Sequence, residues 1–179
     1  MKELSIVYLG GRQAGCIGLL TVLGARHTVR GVVAYDEEIA RLAHALGLAS
    51  VPSLHAAAVP SWLSEADLLV CVHGREVVPP ELLRLPRCGG INVHPCFSRY
   101  KGAGPIERLL RDGITQASVG VHRMTERVDE GELLVELPVD VSGHTSPEAV
   151  YNALYPCYAV ALLEALRRAP VSHANPLPR

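Results

Sequence analysis

The feature that most constrains this chain is an alternation: short apolar runs of strand length, each closed by glycine or an acidic turn, each followed by a helix-like segment. Leu4 to Leu9 ends in Gly10-Gly11, and the apolar segment Cys16 to Leu23 follows and breaks at Gly24, the pattern of strand, turn and helix. Val29 to Tyr35 is a second β-rich run. Asp36-Glu37-Glu38 then supplies an N-cap and an acidic first turn for a helix to about Leu46, halted by Gly47. Ser50 to Ser53 is a brief third strand and Pro60 to Glu65 a short helix. Asp67 to Val72 is a fourth strand, continuously apolar as strands buried on both faces are, and Gly90 to Val93 a fifth. The alternation predicts parallel strands joined by right-handed crossovers, hence an α/β fold with an open, mostly parallel sheet and helices on both faces. Such sheets bind ligands at the carboxyl ends of their strands.

Beyond the fifth strand, Ile106 to Arg111 is a helix, and Ala117 to Met124 and Glu132 to Val141 are two further strands. A final helix is expected from Ser146 to Arg168, because Thr145-Ser146-Pro147-Glu148 has capping-box spacing and tolerates Pro147 in its first turn. A chain of 179 residues can bury one core, so residues 1–169 are expected to form a single domain. The three prolines of 170–179 mark a flexible tail. A formal charge of −1 leaves no basic excess to hold a polyanion, which argues against a nucleic-acid partner. No apolar run approaches the roughly 20 residues of a membrane helix, and Met1-Lys2-Glu3-Leu4 leads straight into a strand without a signal-peptide core. No membrane and a cytoplasmic location are expected. The five cysteines share no repeated spacing and most sit in apolar stretches, so reduced thiols are the default. Cys71-x-His73 with His94-x-Cys96 is the most metal-like grouping, but its spacings are not those of zinc sites, and no metal is expected.

The chemistry concentrates in Ile91-Asn92-Val93-His94-Pro95. Alternation along a strand places Asn92 and His94 on one face at the strand's carboxyl end. Asparagine can donate to a developing oxyanion and histidine can exchange a proton near neutral pH, a pair suited to attack on a carbonyl. The alternative is a strand end whose polar groups merely cap the next turn. Further along stand Tyr100-Lys101-Gly102-Ala103-Gly104-Pro105-Ile106 and Thr125-Glu126-Arg127-Val128-Asp129-Glu130-Gly131.

With these three segments in order, the sequence resembles the formyltetrahydrofolate-dependent formyltransferase family, which includes methionyl-tRNA, glycinamide ribonucleotide and sugar-nucleotide N-formyltransferases. The family's Asn-x-His-Pro element, basic-Gly step into a helix and acidic Leu-Asp-x-Gly loop correspond to Asn92-Val93-His94-Pro95, Lys101-Gly102 and Val128-Asp129-Glu130-Gly131. The resemblance implies a Rossmann-like formyltransferase fold and a catalytic set of Asn92, His94 and Asp129. It also implies formyltetrahydrofolate as the formyl donor, held along His73, Gly74, Arg75, Val77 and Val78 and along Glu126, Arg127 and Val128. It implies no metal, a small-molecule amine acceptor, and a monomer or homodimer.

Two departures border the acceptor crevice: Cys96-Phe97-Ser98 replaces the family's Ser-Leu-Leu-Pro one residue short, and the pterin loop is one residue longer. Cys96 beside His94 invites reading as a nucleophile, which formyl transfer does not need. After Arg168 too little remains for the tRNA-holding domain of the methionyl-tRNA branch, so that acceptor is disfavoured. Glycinamide ribonucleotide stays open, although Gly10-Gly11-Arg12-Gln13 lacks that branch's phosphate loop of Asn, Gly and Ser. An amino-sugar nucleotide or another biosynthetic amine is the leading expectation. A hydrolase releasing formate from the same folate, and a non-catalytic folate-binding protein, are the alternatives from other classes.

Overall fold

The computed structural model describes residues 2–169; the expected tail 170–179 lies outside the described residues. Seven strands form one sheet in the order β3-β2-β1-β4-β5-β6-β7. The strands are β1 (Ser5–Gly10), β2 (Thr28–Ala34), β3 (Ser50–Val51), β4 (Leu68–Val72), β5 (Gly90–Pro95), β6 (Gln116–Arg123) and β7 (Leu133–Asp140). The first five pair in parallel, while β6 lies antiparallel between β5 and β7. Strand β4 is buried along its whole length, as its unbroken apolar run requires of a strand with a layer on either side. Because the chain turns from β1 outward to β2 and β3 and then returns to β4, the strand order reverses beside β1. A crevice opens there at the strands' carboxyl ends.

Helices α1 (Arg12–Gly24) and α6 (Pro147–Arg168) cover one face of the sheet, with α2 (Glu37–Ala45) beside α1. Helix α3 (Val59–Ser64) packs on the other face against β1 and β2. Asp36 caps α2 by accepting from the Ile39 amide at 3.2 Å, as the Asp-Glu-Glu run foretells. Helix α1 starts a turn before the apolar segment that announces it. It can lie close to the sheet because Gly18 faces the Tyr8 ring, where any Cβ would collide with the hydroxyl. That hydroxyl donates to the Gly15 carbonyl at 2.6 Å, so a fully buried tyrosine is satisfied by the helix it supports.

Two local expectations change. The cap of α6 is Ser146 rather than Thr145, its hydroxyl accepting from the Ala149 amide at 3.2 Å. Ala149 therefore stands where a capping box needs a glutamate. A short helix, α4 (Pro80–Leu83), follows Pro79 where the sequence marks none, and α5 (Pro105–Arg111) begins at a proline after the left-handed Gly104. Helix α6 is long and apolar enough, by length and composition alone, to cross a membrane. In the fold it buries Val150, Leu154, Tyr158, Ala161, Leu162, Ala165 and Leu166 against α1, β6 and β7, the behaviour of a core helix.

Candidate active site

Strand β5 runs two residues beyond the expected Val93, so Asn92 and His94 lie within the strand and share a face. Register then adds a residue outside the catalytic set expected from the sequence. Asn92 sits opposite His122 of β6 and His94 opposite Gly120. The Asn92 Nδ2 lies 3.2 Å from His122 Nε2. Gly120 leaves room for the turn after β5: a Cβ there would come within 2.6 Å of Phe97 Cβ. Phe97, the chain's only phenylalanine, folds back over Gly120 and stacks on the His122 ring at 4.2 Å between centroids.

Asp129 arrives from the loop between β6 and β7 and takes the left-handed conformation, φ 55°, which aspartate tolerates better than most residues. Its Oδ2 accepts from the Gly102 amide at 2.8 Å and lies 3.3 Å from His94 Nε2, while its Oδ1 lies 3.3 Å from His122 Nε2. One buried carboxylate thus bridges two histidines. Burial pulls its pKa up. The His122 and His94 hydrogen bonds, the His94 charge and the Gly102 amide outweigh that and hold it well below the usual carboxylate range. Both imidazoles are oriented from behind: His94 Nδ1 donates to the Pro95 carbonyl and His122 Nδ1 to the Arg123 carbonyl, each at 2.8 Å. A proton on His94 Nε2 therefore has two acceptors beside it, Asp129 and the Gly102 carbonyl at 3.2 Å.

These groups line a cavity of about 530 Å³ at the carboxyl ends of β4 and β5. Of the expected folate-binding residues, His73, Gly74, Arg75, Val77, Val78 and Val128 line it, joined by Met124 and Thr125. Glu126 and Arg127 are absent from the lining: Glu126 pairs with Arg84, and Arg127 lies 3.5 Å from Glu130. His73 also departs from the loop it opens. Its ring faces α6, with Nε2 2.9 Å from the Tyr158 hydroxyl and Tyr151 edge-on at 5.4 Å. Burial, with the Arg12 and His94 charges, lowers its pKa to about 4, so the ring is neutral near pH 7.

Cys96 belongs elsewhere. It lines a second cavity of about 610 Å³ with Ser98, Arg99, Ser118 and Glu136 and is absent from the lining of the first. Burial pushes its thiol pKa up, the opposite of what an attacking thiolate needs. The departure at Cys96-Phe97 therefore does not border the crevice as the sequence suggests; Phe97 meets it only through its stacking on His122. Among the described residues, no cluster of three or more His, Cys, Asp or Glu side chains is arranged to hold a metal ion.

With the crevice defined, the family is settled by comparison: residues 52–166 match the model of the family described as formyl transferase, and the chain belongs to it. A methionyl-tRNA formyltransferase of Chromohalobacter salexigens is 29% identical over 92% of the chain, which spans 56% of that relative's length. Among solved structures, the phosphoribosylglycinamide formyltransferase of Anaplasma phagocytophilum superposes with a TM-score of 0.80 at 18% identity, over 94% of this chain and 88% of its own. A formyltetrahydrofolate deformylase of Burkholderia mallei gives 0.70 at 22% identity, over 92% and 64%. These two likenesses are of fold.

Proposed function

We propose that the chain transfers the formyl group of formyltetrahydrofolate to the amino group of a small acceptor, such as an amino-sugar nucleotide or another biosynthetic amine, and that residues 1–169 are its catalytic domain. The observation that carries this reading is the carboxylate of Asp129 bridging His94 and His122 next to Asn92, in a crevice of a formyl transferase family member. Val78, Met124 and Val128 offer apolar walls and the loop after β4 offers backbone amides, a lining that fits a pterin.

In this mechanism the acceptor nitrogen attacks the formyl carbon and forms a C–N bond, leaving a tetrahedral intermediate with a negative oxygen. Asn92, whose Nδ2 lies 3.2 Å from His122 Nε2, donates an amide hydrogen to that oxygen, with protonated His94 as second donor. Asp129 Oδ2, 3.3 Å from His94 Nε2, holds the imidazole in orientation. The proton lost by the attacking nitrogen passes through His94 or water to the folate nitrogen as the old C–N bond breaks. Glycinamide ribonucleotide remains a candidate acceptor by fold likeness, and hydrolysis is the second reading, since deformylases share the fold.

The test is a panel of amines incubated with 10-formyltetrahydrofolate and read by mass spectrometry. Gain of one formyl group on an amine is the expected result. Formate release that no amine diverts identifies a hydrolase, and folate binding without turnover identifies a binding protein.

A further inference from the structure

The loop after β4 lines the cavity, yet the carboxylate of one of its residues is engaged by a neighbouring segment. Glu76 reaches across to the segment between β3 and α3, where Oε1 accepts from the Ser53 hydroxyl at 2.6 Å and Oε2 from the Leu54 amide at 2.8 Å. The Ser53 hydroxyl oxygen in turn accepts from the His55 amide at 3.1 Å, so the serine is held in the donating orientation. A weaker anchor stands beside it: Arg75 lies 3.8 Å from Asp36, the carboxylate that also accepts the Arg12 amide at 2.5 Å. Gly74 seats the start of the loop, because a Cβ there would come within 2.5 Å of the Cys71 sulfur. Just past these anchors Val77 is 70% exposed at the cavity and adds no packing, so the backbone there is held by the Glu76 tether and by buried Val78.

We propose that Glu76 is the positioning residue of the folate subsite: by tying the 74–78 backbone to Ser53 and Leu54, it sets the loop in its ligand-ready shape before the folate arrives. The inference rests on the folate reading above. A loop without this tether must be ordered during binding, and the ordering entropy is subtracted from affinity. Glu76 lines the cavity, but both its oxygens are held by Ser53 and Leu54, so it acts through the loop, and its loss falls on folate affinity and leaves His94 and Asp129 in place. Its carboxyl is suited to the task. Burial raises its pKa, but the Leu54 amide, the Ser53 and Tyr35 hydroxyls and the His55 charge outweigh that and keep it ionised near pH 7.

The experiment is calorimetric titration of the whole protein with 5-formyltetrahydrofolate, a stable mimic of the donor, for wild type, Glu76→Ala, Glu76→Gln, Ser53→Ala and the double variant Ser53→Ala/Glu76→Ala. Glu76→Ala is expected to raise Kd about tenfold, the order that lost charge-assisted hydrogen bonds produce. Glu76→Gln, which keeps one acceptor oxygen, falls between it and wild type. The double variant binds no more weakly than Glu76→Ala alone, because both changes break one tether. A merely structural Glu76 would lower the melting temperature with Kd unchanged, and that result overturns the proposal, as do effects of Ser53→Ala and Glu76→Ala that simply multiply. Should Glu76→Ala not fold, an unchanged Kd in Ser53→Ala is enough to overturn it. Absence of binding by the wild type fails the folate reading itself and is recognised by the wild-type titration alone.

Discussion

At the scale of single residues the site is a set of opposed demands on protonation. Asp129 is kept ionised by two histidines and an amide, while His73, in the lining of the same cavity, is kept neutral. His73 yields a prediction about pH. Its folded pKa of about 4 lies below the roughly 6.5 of an unfolded histidine. Between those values the unfolded chain binds a proton that the folded one refuses. The stability tied to His73 is therefore fully present above about pH 6.5 and is lost as pH falls toward 4. Tyr158, Tyr151, Arg12 and His94 surround the ring and none is a carboxylate that would reverse this sign. The melting temperature of His73→Gln should fall less steeply than wild type on titration from about pH 7 to 4.5. Some slope will remain, because burial lowers the pKa of His27 as well. Identical slopes would contradict the burial argument. Asn92, His94 and Asp129 were legible because ordered short motifs mark them and a period of two aligns the first pair. His122 and Phe97 were not, because a cross-strand register and a back-folded turn bring them in, and neither leaves a local pattern.

At the scale of elements, the loop from β6 to β7 decides whether the carboxylate reaches the histidines. Gly131 runs so close to the Arg123 carbonyl that any Cβ there would overlap it, which is the physical reason for glycine in Val128-Asp129-Glu130-Gly131. Gly131→Ala must push the loop outward by displacing backbone, not a yielding side chain. A shift of about 1 Å at a catalytic group can cost on the order of 10²-fold in rate. Turnover is therefore expected to fall by about that factor, with a destabilisation of roughly 1–3 kcal/mol in thermal or denaturant unfolding. Wild-type turnover in this variant would mean that the loop's position is immaterial. Strand and helix order was readable because each apolar run is punctuated by glycine, proline or an acidic turn. What was missed has a physical origin: α4 is a single turn after prolines, and the α6 cap slips by one residue because Thr145 and Ser146 can both cap and only backbone geometry selects between them.

At the scale of the whole molecule, the sheet brings together segments far apart in sequence. Strand β5 contributes Asn92 and His94, the step into α5 contributes the Gly102 amide, and the β6–β7 loop contributes Asp129, all gathered at the carboxyl end of β5. The central claim is that this assembly carries formyl transfer. Its most direct test is the single-turnover rate from 10-formyltetrahydrofolate to an amine found in the panel, compared among wild type, His94→Ala, Asp129→Asn and the double variant. Loss of one such donor or its partner should lower the rate by about 10²–10³-fold with folate affinity nearly unchanged. The double variant should be little slower than the worse single, because the two residues act as one unit. A His94→Ala protein that transfers formyl groups at close to the wild-type rate would contradict the account.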